Sequence, residues 1–231
     1  MNIDNLLEEI AQSVEYLAKT GHRGFDCKPE KLDLMAGWGT PPSQRSSQFQ
    51  SLADISAALK GCTRCRLSQK RKAIVFGEGN PNASLVFIGE GPGAEEDRQG
   101  RPFVGPAGKL LDKIIAAMGL KREEVYIGNV VKCRPPGNRD PQPDEIKTCL
   151  PFLREQLKLI DPEFIVTLGR HATQTMLETS DPISRLRGRF FNYGDAKLLP
   201  TFHPAYLLHN PNKKQEVWAD IQKVMKKMGL R

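Results

Sequence analysis

No apolar run in this 231-residue chain approaches the ~20 residues that a membrane-spanning helix needs. The first residues, Met1 to Glu9, start acidic and lack the apolar centre of a secretory signal. Both absences lead us to expect a cytosolic (cytoplasmic) protein with no membrane partner. In that compartment five cysteines are expected as metal ligands or free thiols rather than disulfides. No His/Asp pair has catalytic-metal spacing, which disfavours a zinc-dependent phosphate-ester hydrolase. There is also no compositional bias towards disorder, with 39% hydrophobic and 26% charged residues. The length suits one α/β domain with an additional segment.

The charge that is present is unevenly placed. Residues 1–50 hold seven acids and five Lys or Arg, whereas residues 51–231 hold 20 acids and 29 Lys or Arg. The basic surplus therefore belongs to the larger part. Such a surplus favours a polyanion, nucleic acid first, although a merely solvated basic surface has the same composition.

Residues 2–19 carry Ile3, Leu6, Leu7, Ile10, Val14 and Leu17 at helical spacing, with Gly21 as a stop. Asp26 to Gln50 loses all period and reads as a linker. The expected division is a helical extension and linker over 1–50 and a main domain over 51–231, opened by a short helix from Ser51 to Leu59. The main domain alternates. Strands are predicted at Leu85–Ile88, Val125–Val131, Phe164–Leu168 and Lys197–Phe202. Helices are predicted at Gly108–Met118, Asp144–Ile160 (with a break at Pro151), Arg170–Leu177 and Lys213–Met228. Short apolar strands alternating with helices imply a parallel sheet covered on both faces, with ligands beyond the strands' carboxyl ends. That rule directs Glu90, Phe103, Asn129 and His203 to one rim.

Within the main domain a long stretch with little core character is Gly89–Gly108, rich in Gly, Pro and acids, with one aromatic, Phe103. It cannot be helix or ladder strand throughout, and loops of this kind usually carry function. The cysteines supply the second signal. Cys62 and Cys65 form a C-x2-C pair; Cys133 and Cys149 are 16 positions apart in sequence. Four thiolates suit tetrahedral zinc or an iron–sulfur cluster, and spacing alone leaves both open, beside free buried thiols. Their neighbours are basic (Lys60, Arg64, Arg66, Lys70, Arg71, Lys72, Lys132, Arg134, Arg139), suited either to gripping phosphates or to balancing thiolates. Cys27 has no partner in spacing.

Four segments carry a resemblance: Gly89-Glu90-Gly91-Pro92-Gly93, Gly100-Arg101-Pro102-Phe103-Val104-Gly105, Asn129-Val130-Val131-Lys132-Cys133-Arg134-Pro135-Pro136 and His203-Pro204-Ala205-Tyr206-Leu207-Leu208. In this order, with four cysteines in register, they resemble the family 4 uracil-DNA glycosylases over about residues 57–228. The resemblance implies a three-layer α/β/α sandwich with a central four-stranded parallel sheet, the N-terminal helical extension lying outside it. It implies a [4Fe–4S] cluster on Cys62, Cys65, Cys133 and Cys149. It also implies a monofunctional DNA repair hydrolase acting on the N-glycosidic bond of deoxyuridine, in single- or double-stranded DNA, and leaving an abasic site.

Residue types agree with that chemistry. Phe103 offers a flat face for an extruded base. Asn129 has a donor and an acceptor on one amide, matching uracil N3–H and O4. His203 would stabilise the departing anion at O2. The resemblance gives Glu96 the uracil C5 edge, Gly91 and Gly93 backbone donors around the base, and Tyr206, Leu207 and Leu208 an apolar wedge. Where the best-known branch of the superfamily has a water-preparing Asp, this chain has Gly91. Glu90 is then the nearest carboxylate, either preparing the water or ordering the loop. His209 stands where the motif often has Arg. The Cys133–Arg139 loop has neither His nor insertion, so covalent trapping of the abasic site is not expected. A non-catalytic iron–sulfur DNA-binding module is the alternative from another class; a redox carrier would leave Phe103, Asn129 and His203 unexplained. The protein is expected to be a monomer, and the N-terminal helix could meet a replication or repair partner.

Overall fold

A computed structural model describes residues 47–230. The expected N-terminal helix over 2–19 and Cys27 lie outside the described residues. Six strands form one sheet: β1 (Glu78–Gly79), β2 (Leu85–Gly89), β3 (Tyr126–Asn129), β4 (Phe164–Leu168), β5 (Phe191–Tyr193) and β6 (Ala196–Thr201), in the order β1-β3-β2-β4-β6-β5. The four central strands are the predicted ones and run parallel, with Val86 opposite both Tyr126 and Ile165, and Ile165 opposite Leu198. The two edges, β1 and β5, are antiparallel additions, so the sheet is mixed. At two and three residues they are too short to leave a periodic signal.

The central strands are apolar throughout because both faces are covered. Alternation sorts their side chains between two cores. Val86, Ile88, Ile165 and Leu198 enter one, with Leu153, Leu157 and Ile160 from helix α4 (Pro143–Ile160) and Ala172 and Met176 from α5 (Arg170–Leu177). Leu85, Phe87, Val166 and Leu199 enter the other, with Leu111 and Ile115 from α3 (Pro106–Ala117) and Val217, Ile221 and Val224 from α8 (Lys214–Met228). This is the three-layer α/β/α sandwich. The remaining helices are α1 (Leu52–Leu59), capped by the Ser51 hydroxyl, α2 (Ala94–Gln99), α6 (Ile183–Leu186) and α7 (Pro204–His209). Among the described residues no helix is long and apolar enough to cross a membrane.

Three local readings change. Helix α4 runs through Pro151 without the expected break. A proline removes the bond to the carbonyl four residues earlier, here Lys147, and both residues are exposed, so that carbonyl meets water. The Gly89–Gly108 stretch contains the short helix α2, closed by Gly100 in the left-handed region (φ 71°). Tyr206, Leu207 and Leu208, expected together as an apolar wedge, lie on helix α7, and Leu207 is buried in the core. Only Tyr206 (41% exposed) and Leu208 (44%) face out.

Helix α3 starts against the back of the Phe103 loop. A Cβ on Gly108 would fall 1.9 Å from the Phe103 carbonyl oxygen. Gly108→Ala is therefore expected to lower the unfolding free energy by about 1–3 kcal/mol, read from the midpoint of denaturant unfolding.

Candidate active site and cysteine centre

The carboxyl ends of the parallel strands open into a cleft of about 330 Å³ lined by Glu90, Gly91, Gly93, Glu96, Phe103, Asn129 and His203 among others. That size is within the usual range of small-ligand sites. A larger hollow, about 550 Å³, lies between the second half of α4 and the β5–β6 turn. It touches β4 and β6 near their amino ends, away from the rim where the loops converge.

Each wall has a local cause. Gly89 ends β2, and a Cβ there would fall 2.4 Å from Asn129 Oδ1 and 2.6 Å from the Phe103 ring. Its bare backbone lets those two groups meet over the central strand. Phe103 itself has φ 50°, a strained value for a bulky residue, costing about 1–3 kcal/mol. Arg122 holds it there. This guanidinium donates to the carbonyls of Pro102 (2.5 Å) and Phe103 (3.2 Å) and pairs with Asp112 (2.6 Å) and Glu78 (2.8 Å). Asp97, buried on α2, accepts from the Lys72 and Ala73 N–H groups and ties the loop to the preceding segment.

Asn129 is 1% exposed, and its Oδ1 has no hydrogen-bond partner among the described residues. A buried acceptor left bare costs about 1–3 kcal/mol, so this atom is an unmet demand at the cleft wall. Below it, buried Lys132 donates from Nζ to the Asn129 carbonyl (2.9 Å) and to Gln156 Oε1 (2.6 Å). Gln156 continues to the Tyr126 hydroxyl (3.0 Å), so the end of β3 is fixed through side chains of the layer behind it.

His203 precedes α7 and caps it. The Ala205 N–H donates to His203 Nδ1 at 3.1 Å. With Nδ1 accepting, the neutral ring carries its proton on Nε2, which becomes a donor. Burial pushes the imidazole pKa down to about 4, with Glu96 acting in the opposite direction, so the ring is neutral at ordinary pH. Glu96 has an unforeseen task. Its Oε1 accepts from the N–H groups of Val104 and Gly105, both at 2.9 Å, closing the loop behind Phe103. Glu90 behaves oppositely to a surface acid: burial raises its pKa, His171 lowers it, Asp140 raises it and Arg170 lowers it. Asp140 and His171 are site neighbours that sequence reasoning missed, since no local pattern joins residues from separate loops.

The four cysteines line a separate small cavity, about 20 Å³, beside Leu59, Ile74 and Phe152. Cys62 and Cys65 come from the turn after α1, Cys133 from the segment after β3 and Cys149 from α4. All four are free thiols. Burial pushes Cys133 up to about 11 and also raises Cys149, outweighing the opposing pull of Arg71 on the first and Lys132 on the second. Yet Arg64 Nη1, Arg71 Nη1 and the Lys132 N–H donate to the sulfurs of Cys62, Cys133 and Cys149 at 3.3, 3.4 and 3.3 Å. Four converging sulfurs with such donors fit a thiolate-bound metal or cluster. Part of the basic neighbourhood is already engaged: Arg66 pairs with Asp144, and Arg139 with Glu145. Lys60, Lys70 and Lys72 remain exposed.

Residues 76–222 match the family model for the uracil DNA glycosylase superfamily. Among similar curated proteins is a type-4 uracil-DNA glycosylase of Sulfurisphaera tokodaii, 46% identical over 185 residues, which are 76% of this chain and 84% of that protein. Another, from Thermotoga maritima, is 46% identical over 173 residues, 73% of this chain and 90% of the relative. A third, from Archaeoglobus fulgidus, is 43% identical over 184 residues, 76% and 92% of the two chains.

The His203 environment has a measurable sign. The folded pKa of about 4 lies below the ~6.5 of an unfolded histidine, so the unfolded chain binds the extra proton first as pH falls. The stability contribution is complete above ~6.5 and is lost as pH drops towards 4. An NMR titration of the imidazole should give a midpoint near 4; a midpoint at the ordinary histidine value would contradict this environment.

Proposed function

This chain belongs to the uracil-DNA glycosylase superfamily, and from that premise we propose that it hydrolyses the N-glycosidic bond of deoxyuridine in DNA and leaves an abasic site. The bare, buried Oδ1 of Asn129 is the observation that best supports this reading. Uracil's N3–H would satisfy it, while the amide N–H group meets O4. In that orientation cytosine would present an unprotonated N3 to the same oxygen, leaving the acceptor unmet at about 1–3 kcal/mol. The target nucleotide must leave the helical stack to reach the cleft. Phe103 is the stacking face and the backbone at Gly91 and Gly93 lies along the base edge. Glu96, pinned by two backbone donors, is a rigid wall suited to excluding the 5-methyl group of thymine. Tyr206 and Leu208, but not Leu207, are exposed enough to fill the space the nucleotide vacates.

Bond breaking puts negative charge on uracil O2 and positive character on the sugar. A neutral His203 donating from Nε2 meets the first, an oxyanion-type contribution of about 3–4 kcal/mol. Glu90 is assigned to the water that attacks the sugar. The transition state resembles an oxocarbenium ion and asks little of the nucleophile, so alignment and charge suffice. The exposed lysines beside the cysteine centre are placed to meet phosphates.

Cys62, Cys65, Cys133 and Cys149 are assigned as ligands of a [4Fe–4S] cluster, which would supply a cross-link between three segments of the chain and no step of the hydrolysis. Cysteines that serve as ligands rather than in disulfides suit a cytosolic setting.

On a uracil-containing oligonucleotide, excision followed by alkali cleavage should reveal abasic sites. Asn129→Ala and His203→Ala are each expected to lower the single-turnover rate by about 10²–10³-fold. Full activity in both would sink the assigned roles, and DNA binding without base release would favour the non-catalytic module. Cys133→Ser is expected to lose visible thiolate-to-iron absorption in the purified protein.

A further inference from the structure

The loops leaving β2, β3 and β4 bring a second group of residues to the carboxyl rim. One ligand-type atom from each of Glu90, Asp140 and His171 lies within 4.8 Å of the other two. His171 Nε2 stands 2.8 Å from Asp140 Oδ2. Arg170 Nη2 is 3.2 Å from the same oxygen and 2.8 Å from the His171 ring nitrogen. A guanidinium already occupies this side, so a divalent cation would meet a fixed positive charge there. The group is better read by its effect on Glu90.

Placement supports that reading. Gly169 follows β4 with φ 89°, a left-handed value, and caps the start of α5. A Cβ on Gly169 would fall 2.9 Å from the His203 Cβ. The turn is thus packed against His203, and the first turn of α5 carries Arg170 and His171 to the Glu90 side. Asp140 arrives from the loop that follows β3 and lines the same cleft as Glu90.

We propose that His171, oriented by Asp140, is a positioning residue that keeps Glu90 ionised at the cleft, where the carboxylate aligns the attacking water. This rests on the assignment of Glu90 to that water. A protonated carboxyl group could neither take the water's proton nor accept its hydrogen bond as strongly. Burial is the largest influence on Glu90 and favours the protonated form, and Asp140 adds to it. His171 and Arg170 oppose both. The imidazole and the carboxylate stand within 4.8 Å of each other, close enough for a positive charge on the ring to favour the ionised carboxyl group. The other charged groups at the cleft do not replace it. The Arg139 guanidinium is committed to Glu145 at 2.7 and 2.8 Å, and Glu96 is bound to backbone N–H groups. His203 is neutral until pH falls to about 4.

The test is the pH profile of single-turnover uracil excision from a single-stranded oligonucleotide by the full chain, as wild type, His171→Gln, His171→Lys and Glu90→Gln. The His171 side chain is 23% exposed, and circular dichroism checks that each variant is folded. Removing the cation raises the Glu90 pKa further, so the acid limb of His171→Gln is expected to move up by about one pH unit, with the plateau rate retained. His171→Lys restores a positive charge and is expected to return the limb towards wild type. An unmoved limb in His171→Gln, or identical limbs for the Gln and Lys variants, overturns the proposal. Glu90→Gln separates the two levels. Wild-type rate and profile in that variant would remove the Glu90 assignment and this inference with it. A large loss in Glu90→Gln beside an unmoved limb in His171→Gln would remove only the His171 role.

Discussion

The central strand of the sheet ends in a residue without a side chain, and the cleft is built in the space this leaves. At Gly89 the Asn129 amide and the Phe103 ring approach the backbone to distances that any Cβ would forbid. Asn129 belongs to the neighbouring parallel strand, while Phe103 returns on the loop that Gly89 begins. The approach therefore couples strand register to loop closure. Register is itself held by two cores that sort alternate side chains, and a one-residue slip would exchange them. Chemistry at the rim thus depends on packing across the whole sheet.

Burial acts in the same sense on two titratable groups of the cleft, His203 and Glu90. It favours the uncharged form of each. For His203 the uncharged form keeps one N–H, and the Ala205 N–H selects the tautomer that carries it on Nε2. For Glu90, His171 and Arg170 act against the uncharged form that burial favours. Each is opposed by a neighbour of opposite charge, His203 by Glu96 and Glu90 by His171 and Arg170, and in both burial is the larger influence.

The four parallel strands were legible because each is an apolar run between turn residues, and both cores follow from that pattern. Edge strands of two and three residues were not, since no period can be read from so few positions. Phe103, Asn129, His203 and the cysteines were visible through motifs and residue chemistry. Arg122, Asp97, Asp140 and His171 were not. They act between segments distant in sequence, and a charged residue on a loop has no local mark that separates it from a solvated one. Leu207 was misread for a related reason. Once Pro204–His209 is helical, one face must turn inward, and the motif alone cannot say which residue goes with it.

Phe103 is held in a left-handed backbone by Arg122, which grips its own carbonyl and that of Pro102, and by Glu96, which accepts from the next two N–H groups. The ring is therefore set in the cleft wall by the fold itself, and a ligand that met it would spend no binding energy on ordering it. The expense falls on the folded chain instead, as strain that a more relaxed residue would relieve. At this position selection for a sturdier protein and selection for a better receptor pull in opposite directions.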